Sequence, residues 1–236
     1  MSEPRFAVSL LTTAYLPPVE YFFAIAHSDR VLIEQHEAYQ KQSWRNRCRI
    51  LSAAGPEDLS IPVVKEARLS RPIRDIRIDY SEPWLQHHSR ALSAAYNHSA
   101  FYDYYAPDLL PILESKPAFL FDLNMSLLEK LLSLLGLTVP IDLTESFIHA
   151  PLRSDVPLPS QGKCSFNGTS PAPLCLDGRE RIQPKYKGEG LLAEYHREQA
   201  YYQVFVNQNP GQGFIPNLSI IDLLSAEGPA AISYLI

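Results

Sequence analysis

The sequence predicts an α/β fold: a mixed, largely parallel sheet flanked by helices, with a helical middle segment. Three observations predict it. Residues 6–11 and 31–33 are apolar runs of strand length on either side of a helical stripe, so strand, helix and strand follow one another within the roughly thirty residues of a βαβ unit. Residues 84–96 and 120–135 repeat their apolar side chains at helical spacing, and residues 141–147 and 201–206 read as further strands.

Each element has a local reason. Pro17 and Pro18 stop the first strand, and Pro18 suits the first helical position. Val19, Phe22, Phe23 and Ala26 then fall at i, i+3, i+4 and i+7, an amphipathic stripe that Ser28 and Asp29 end. An extended reading of residues 42–50 puts Arg45, Arg47 and Arg49 on one face and Trp44, Asn46, Cys48 and Ile50 on the other, because strand side chains alternate. Gly55-Pro56 is expected to turn the chain, and residues 59–64, with Pro62 among them, read as an edge or bulged strand. Ile76, Ile78 and Tyr80 alternate with Arg77 and Asp79 as in a half-buried strand. Ser81 is expected to cap and Pro83 to open the helix carrying Trp84, Leu85, His88, Ala91, Leu92, Ala95 and Tyr96. A tyrosine-rich stretch at 101–105 precedes a short helix at 108–114, and a leucine stripe from Leu120 ends at Gly136. Residues 151–184 hold six prolines and no periodicity, which reads as a loop or insertion within one domain spanning 1–236. Ser219 and Asp222 resemble a capping box for a helix at 220–227 that Gly228 ends.

Composition narrows the function classes. The 236 residues are 46% hydrophobic and 20% charged, which fits a packed globule, and the mean hydropathy is −0.13. A net charge of −5 disfavours broad binding to nucleic acid or to anionic membranes, so any anion site must be local. No apolar stretch approaches the ~20 residues of a membrane span, and the first residues make a poor signal peptide, so the cytoplasm is the expected compartment. The three cysteines, Cys48, Cys164 and Cys175, lack zinc-type spacing and read as reduced thiols; the sequon at Asn167 reads as accidental.

Several groups can carry chemistry. Tyr15 to Pro18 lie where a strand gives way to a helix, at the edge of a parallel sheet that binds ligands in many open α/β folds. Glu34, His36 and Glu37 would leave the second strand on that edge, where a histidine between acids is a candidate base. Lys41, Arg45, Asn46 and Arg47 form a basic and amide-bearing stretch suited to a phosphate or carboxylate; solvated surface charge is the bland alternative. His87 and His88 point about 100° apart on a helix and cannot easily share a metal, so one core and one solvent histidine are expected. Cys48 faces away from the arginines by alternation, and the sequence implies neither a metal nor a particular cofactor.

The segments TAYLPPVEYF, EQHEAYQKQSWRNRCRI, LSIPVV, FDLNMSLLEKLLSLLGL, RIQPK and YYQVF with GFIPNLSIIDLLSAEGP, in this order, resemble the WbqC-like protein family. The resemblance implies a role beside O-antigen and other surface-polysaccharide genes, with transfer of an acyl or aminoacyl group, glycine among them, to a sugar. Where many members have His-Gln-Pro before the tyrosine, this chain has Thr12-Thr13-Ala14, and Ile182-Gln183-Pro184-Lys185 stands where others have Ile-His-Pro-Lys. Both absences move the acid/base expectation to His36. The expected mechanism holds a phosphate- or carboxylate-bearing sugar, nucleotide- or lipid-linked, on Lys41, Arg45 and Arg47, with Asn46, Tyr15 and Asn217 beside it. His36 takes the proton and Glu34 or Glu37 orients the imidazole. A nucleotide-binding nucleotidyl or adenylyl transferase and a non-catalytic sugar-binding scaffold are the alternatives.

Overall fold

The computed structural model describes residues 6–64, 71–149, 174–194, 199–206 and 213–236. Strand β1 (Phe6–Thr12) has six of its seven residues buried, as a central strand with both faces covered requires. It runs parallel to β2 (Val31–Glu34), joined to it through helix α1 (Val19–Ala26), so the opening is the expected βαβ unit. β5 (Ile141–Leu143) adds to β2 and β6 (Leu174–Asp177) adds to β1, both parallel, and the sheet order is β5-β2-β1-β6. Strand β6 lies inside the stretch that lacks periodicity in the sequence. Four residues are too few to display a period, and its place is set by backbone pairing with β1. Residues 150–173, with Cys164 and the Asn167 sequon, lie outside the described residues.

Helix α1 is less amphipathic than its stripe suggests. All residues from Val19 to Ile25 are buried, Glu20 and Tyr21 included, because α5 (Leu191–Glu194) and α6 (Ile220–Glu227) cover the face turned away from the sheet. Glu20 is accommodated there by hydrogen bonds rather than by solvent.

The second sheet is an antiparallel hairpin of β3 (Arg47–Ser52) and β4 (Gly55–Ser60), in register from Arg47 opposite Ser60 to Ser52 opposite Gly55. The turn is Ala53-Ala54, and Gly55 opens β4 at φ 112°, a conformation only glycine adopts freely. The strand starts at Arg47 rather than at residue 42, so Arg45 does not share a face with Arg47 and Arg49. β4 ends before Pro62, and residues 76–80 join neighbours only through isolated bridges, Val63 to Ile78 and Arg77 to Phe119. Their alternation still holds, with Ile76 and Ile78 buried and Arg77 exposed.

The helical middle consists of α2 (Trp84–Tyr96), α3 (Tyr102–Glu114) and α4 (Leu120–Leu135). α3 begins six residues before the expected start at 108, since Tyr102 and Tyr105 lie on its buried face with Leu109 and Leu113. α4 buries its leucines except the half-buried Leu134 and ends at Gly136, which takes the left-handed conformation at φ 69° as its C-cap. Residues 201–203 are irregular rather than a strand, and Gln203 is held by side-chain hydrogen bonds to the Ile215 backbone and Asp222. Ser219 caps α6 by accepting from the Ile221 amide, while Asp222 turns to Tyr201 and Gln203 instead of closing a capping box. No described helix is long and apolar enough to cross a membrane.

Candidate functional site

The carboxyl edge of the parallel sheet is occupied by the protein's own charges. Glu34, at the end of β2 and fully buried, accepts from the His36 amide (2.8 Å), the Thr144 hydroxyl (2.8 Å) and the Ile148 amide (3.0 Å). Just past β6, Arg179 grips Asp177 with Nε (3.0 Å) and Nη2 (2.8 Å), donates to the Ile148 carbonyl and lies 3.8 Å from Glu34. Burial works against the Arg179 charge, but the Asp177 carboxylate, with Glu34 and Glu37 behind it, raises its pKa above the ordinary arginine range. The His36 ring binds the Thr144 carbonyl through Nε2 (3.0 Å), so Glu34 holds the backbone of His36 and not its imidazole.

Glu37 and Arg45 form a buried ion pair. Arg45 Nε and Nη2 donate to the two Glu37 oxygens at 2.7 and 2.5 Å, with side-chain exposures of 0% for Arg45 and 7% for Glu37. The third donor, Nη1, reaches Gln40 Oε1 at 3.4 Å, and Asn124 donates to the Arg45 carbonyl. Burial raises the Glu37 pKa, and the hydrogen bonds and charge of Arg45 oppose it. Arg45 thus ties the 37–46 segment to α4 instead of facing a ligand.

An opening of ligand size lies elsewhere. A cleft of about 550 Å³ is bounded by the 39–42 segment, the start of the β3–β4 hairpin, residues 61–63 and the first turns of α2. Lys41, Asn46 and Arg47 line it together, so three sequence-selected residues converge here. Lys41 is exposed and has no partner among the described residues, while Arg47 shares Asp58 with Arg49. Asn46, 9% exposed, donates to the Ile61 carbonyl and leaves its Oδ1 unpaired; the indole N–H of Trp84, 5% exposed, is likewise unpaired. Gln42 holds φ 58° at the rim and accepts from Lys185, which joins the 182–185 motif to the cleft. This mixture of apolar walls and a few fixed polar groups is the make-up of a small-molecule site.

His87 and His88 both line the cleft. They divide as the helix geometry implies, with His87 exposed and His88 1% exposed. Burial, aided by the charge of His87, lowers the His88 pKa to about 4, so the ring is neutral and its Nδ1 pairs with the Tyr15 hydroxyl at 2.9 Å. Tyr15 itself is fully buried; it supports a cleft residue without lining the cleft. Trp84, His87 and His88 are cleft residues that sequence reasoning missed, because Trp84 belongs to an apolar helical stripe that reads as core and two histidines about 100° apart on a helix read as one core and one solvent residue. Asn217, at φ 55°, accepts from the Glu20 amide and donates to the Glu20 carboxylate, closing the N-terminus of α1 away from the cleft. Burial pushes the Cys48 thiol well up, and no described group of three or more His, Cys, Asp or Glu side chains is placed to hold a metal.

A family model for the WbqC-like protein family matches residues 13–234. The chain belongs to the WbqC-like family. Both the sheet-edge network and the cleft fall within the matched span. Uncharacterized protein Rv1507c of Mycobacterium tuberculosis is 29% identical over 231 residues, which cover 97% of this chain and 96% of that protein. No solved structure matches the chain.

Proposed function

We propose that this WbqC-like protein binds a sugar bearing a phosphate or carboxylate in the cleft at Lys41, Asn46 and Arg47, and transfers an acyl or aminoacyl group to it during surface-polysaccharide assembly. The observation that carries the binding reading is the convergence of an unpaired lysine, a hairpin arginine and an asparagine on one cleft of ligand size. The Lys41 ammonium and Nη2 of Arg47, whose Nε and Nη1 meet Ser60 and Asp58, suit a phosphate or carboxylate, and the apolar walls suit the faces of a sugar ring. Family membership supports the polysaccharide setting. In the reaction, the sugar's amine or hydroxyl attacks the carbonyl of an activated acyl donor, the donor's leaving group departs, and the nucleophile's proton passes to a base. His87 is suited to that role, since it is exposed in the cleft with Nε2 4.0 Å from Glu57, whereas the His36 ring is tied to the Thr144 carbonyl.

Calorimetry with glucosamine 6-phosphate, N-acetylglucosamine 1-phosphate and glucuronic acid tests the binding. Lys41→Ala is expected to weaken it about tenfold without lowering the melting temperature, and equal affinity in wild type and variant would refute the assignment. His87→Gln is expected to slow transfer while leaving affinity unchanged, and His36→Gln to affect neither. One observation favours a second reading, a sugar-binding module without catalysis: of Tyr15, His36, Arg45 and Arg47, only Arg47 lines the cleft. Binding with no transfer to any acceptor in the presence of activated acyl donors would select it.

A further inference from the structure

A second opening of about 410 Å³ adjoins the cleft on the other side of the first turn of α2. Glu82 and Pro83 line both, and Tyr80, which lines the second, stacks on Trp84, which lines the first, with ring centroids 5.7 Å apart. The two openings are therefore neighbouring compartments that meet at the N-terminus of a 13-residue helix. Pro83 gives that N-terminus no side-chain cap, so its first amide groups are free to meet an anion. The unpaired, buried indole N–H of Trp84 sits on the same first turn, and Asn46, whose Oδ1 is likewise unpaired, lines the first compartment with it.

Charge indicates what crosses the divide. The first compartment contributes Lys41 and Arg47, and the second Arg90 and Lys116; both of the latter are exposed, without partners among the described residues. Arg47 is paired with Asp58, which leaves Lys41, Arg90 and Lys116 as three cations without partners among the described residues against the lining carboxylates of Glu82 and Glu114, a surplus that suits an anionic bridge with a bulky group at each end. The second compartment is lined by Gln86, Ser89 and the charged groups, with Tyr80 and Leu85 as its larger apolar surfaces. Such a lining receives a planar, hydrogen-bonding nucleoside better than a polyprenyl chain, which buries only hydrocarbon.

Building on the function proposed above, we infer that the sugar is presented as a nucleoside diphosphate sugar. The sugar lies in the Lys41 and Arg47 compartment, the diphosphate at the start of α2, and the nucleoside in the Tyr80, Arg90 and Lys116 compartment. The test is calorimetry with UDP-N-acetylglucosamine, dTDP-glucose and GDP-mannose, each against its sugar 1-phosphate, and with an undecaprenyl diphosphate sugar in detergent. At least one nucleotide sugar is expected to bind ten times or more tightly than its sugar 1-phosphate. The double variant Arg90→Ala with Lys116→Gly should erase that advantage and leave sugar 1-phosphate binding unchanged. Glycine is chosen at 116 because Lys116 has φ 52°, a left-handed conformation that glycine adopts freely. Sugar 1-phosphates that bind as tightly as every nucleotide sugar, tighter binding of the lipid-linked sugar, or an advantage that survives the double variant would each overturn the inference and leave the sugar site standing. Binding of none of these ligands would overturn both.

Discussion

Removing Arg45 should damage the fold rather than a ligand site. Its guanidinium is fully buried and holds both oxygens of Glu37, so Arg45→Met leaves a carboxylate in a low-dielectric pocket with its counter-ion gone. Breaking one side of a buried pair costs roughly 3–5 kcal/mol. At roughly 2–4 °C per kcal/mol for a domain of this size, the melting temperature should fall by about 6–20 °C. Glu37→Leu alone should cost about as much, because it strands the arginine. The two together should recover most of the loss, since apolar groups then fill the space, and a double-mutant cycle by urea denaturation should return a coupling of about 2 kcal/mol or more. If Arg45→Met melted within about 1 kcal/mol of the wild type and instead lost affinity for a sugar phosphate, the assignment of Arg45 to the interior would be wrong.

Three further outcomes follow from the same packing. Burial raises the Asp222 pKa to about 6 and lowers that of His88 to about 4, against ordinary values of 3.8 and 6.5. The protonated Asp222 stabilises the fold below pH 3.8 and that contribution is lost as pH rises to 6, whereas neutral His88 stabilises it above pH 6.5 and is lost as pH falls to 4. Each is worth roughly 3 kcal/mol, so they offset one another in the wild type. Stability of Asp222→Asn should therefore rise across this interval relative to wild type and that of His88→Asn should fall; parallel curves for all three proteins in urea denaturation would count against both shifts. Asn217→Gly should cost about 1 kcal/mol through the lost α1 cap, and Asn217→Ala about 1 kcal/mol more through its left-handed backbone, as thermal denaturation can measure. Gly228→Ala should destabilise by more than about 2 kcal/mol, because its Cβ would lie 2.6 Å from the Phe101 ring at a backbone φ of 57°; a calorimetric melt like that of the wild type would contradict this.

What the chain's order alone determines is local. The apolar runs at β1 and β2, the leucine period of α4 ending at Gly136, and Ser219 ahead of α6 each depend on neighbours within a few residues, and so they are legible in the sequence. Lys41, Asn46 and Arg47 are legible too, as an amide-bearing basic stretch unusual in an acidic chain. Tertiary structure decided what those groups face. Arg45 is separated from Arg47 because its ion pair with Glu37 precedes the start of β3, and period-2 alternation cannot report where a strand begins. Glu20 meets Asn217 across 197 residues, β6 is recruited by β1 across the span 150–173, and the cleft exists only because the hairpin docks beside the first turn of α2. Such contacts depend on which faces the whole chain buries together. The sequence therefore named the groups able to bind an anion, and packing separated those that hold the fold from those left to a ligand.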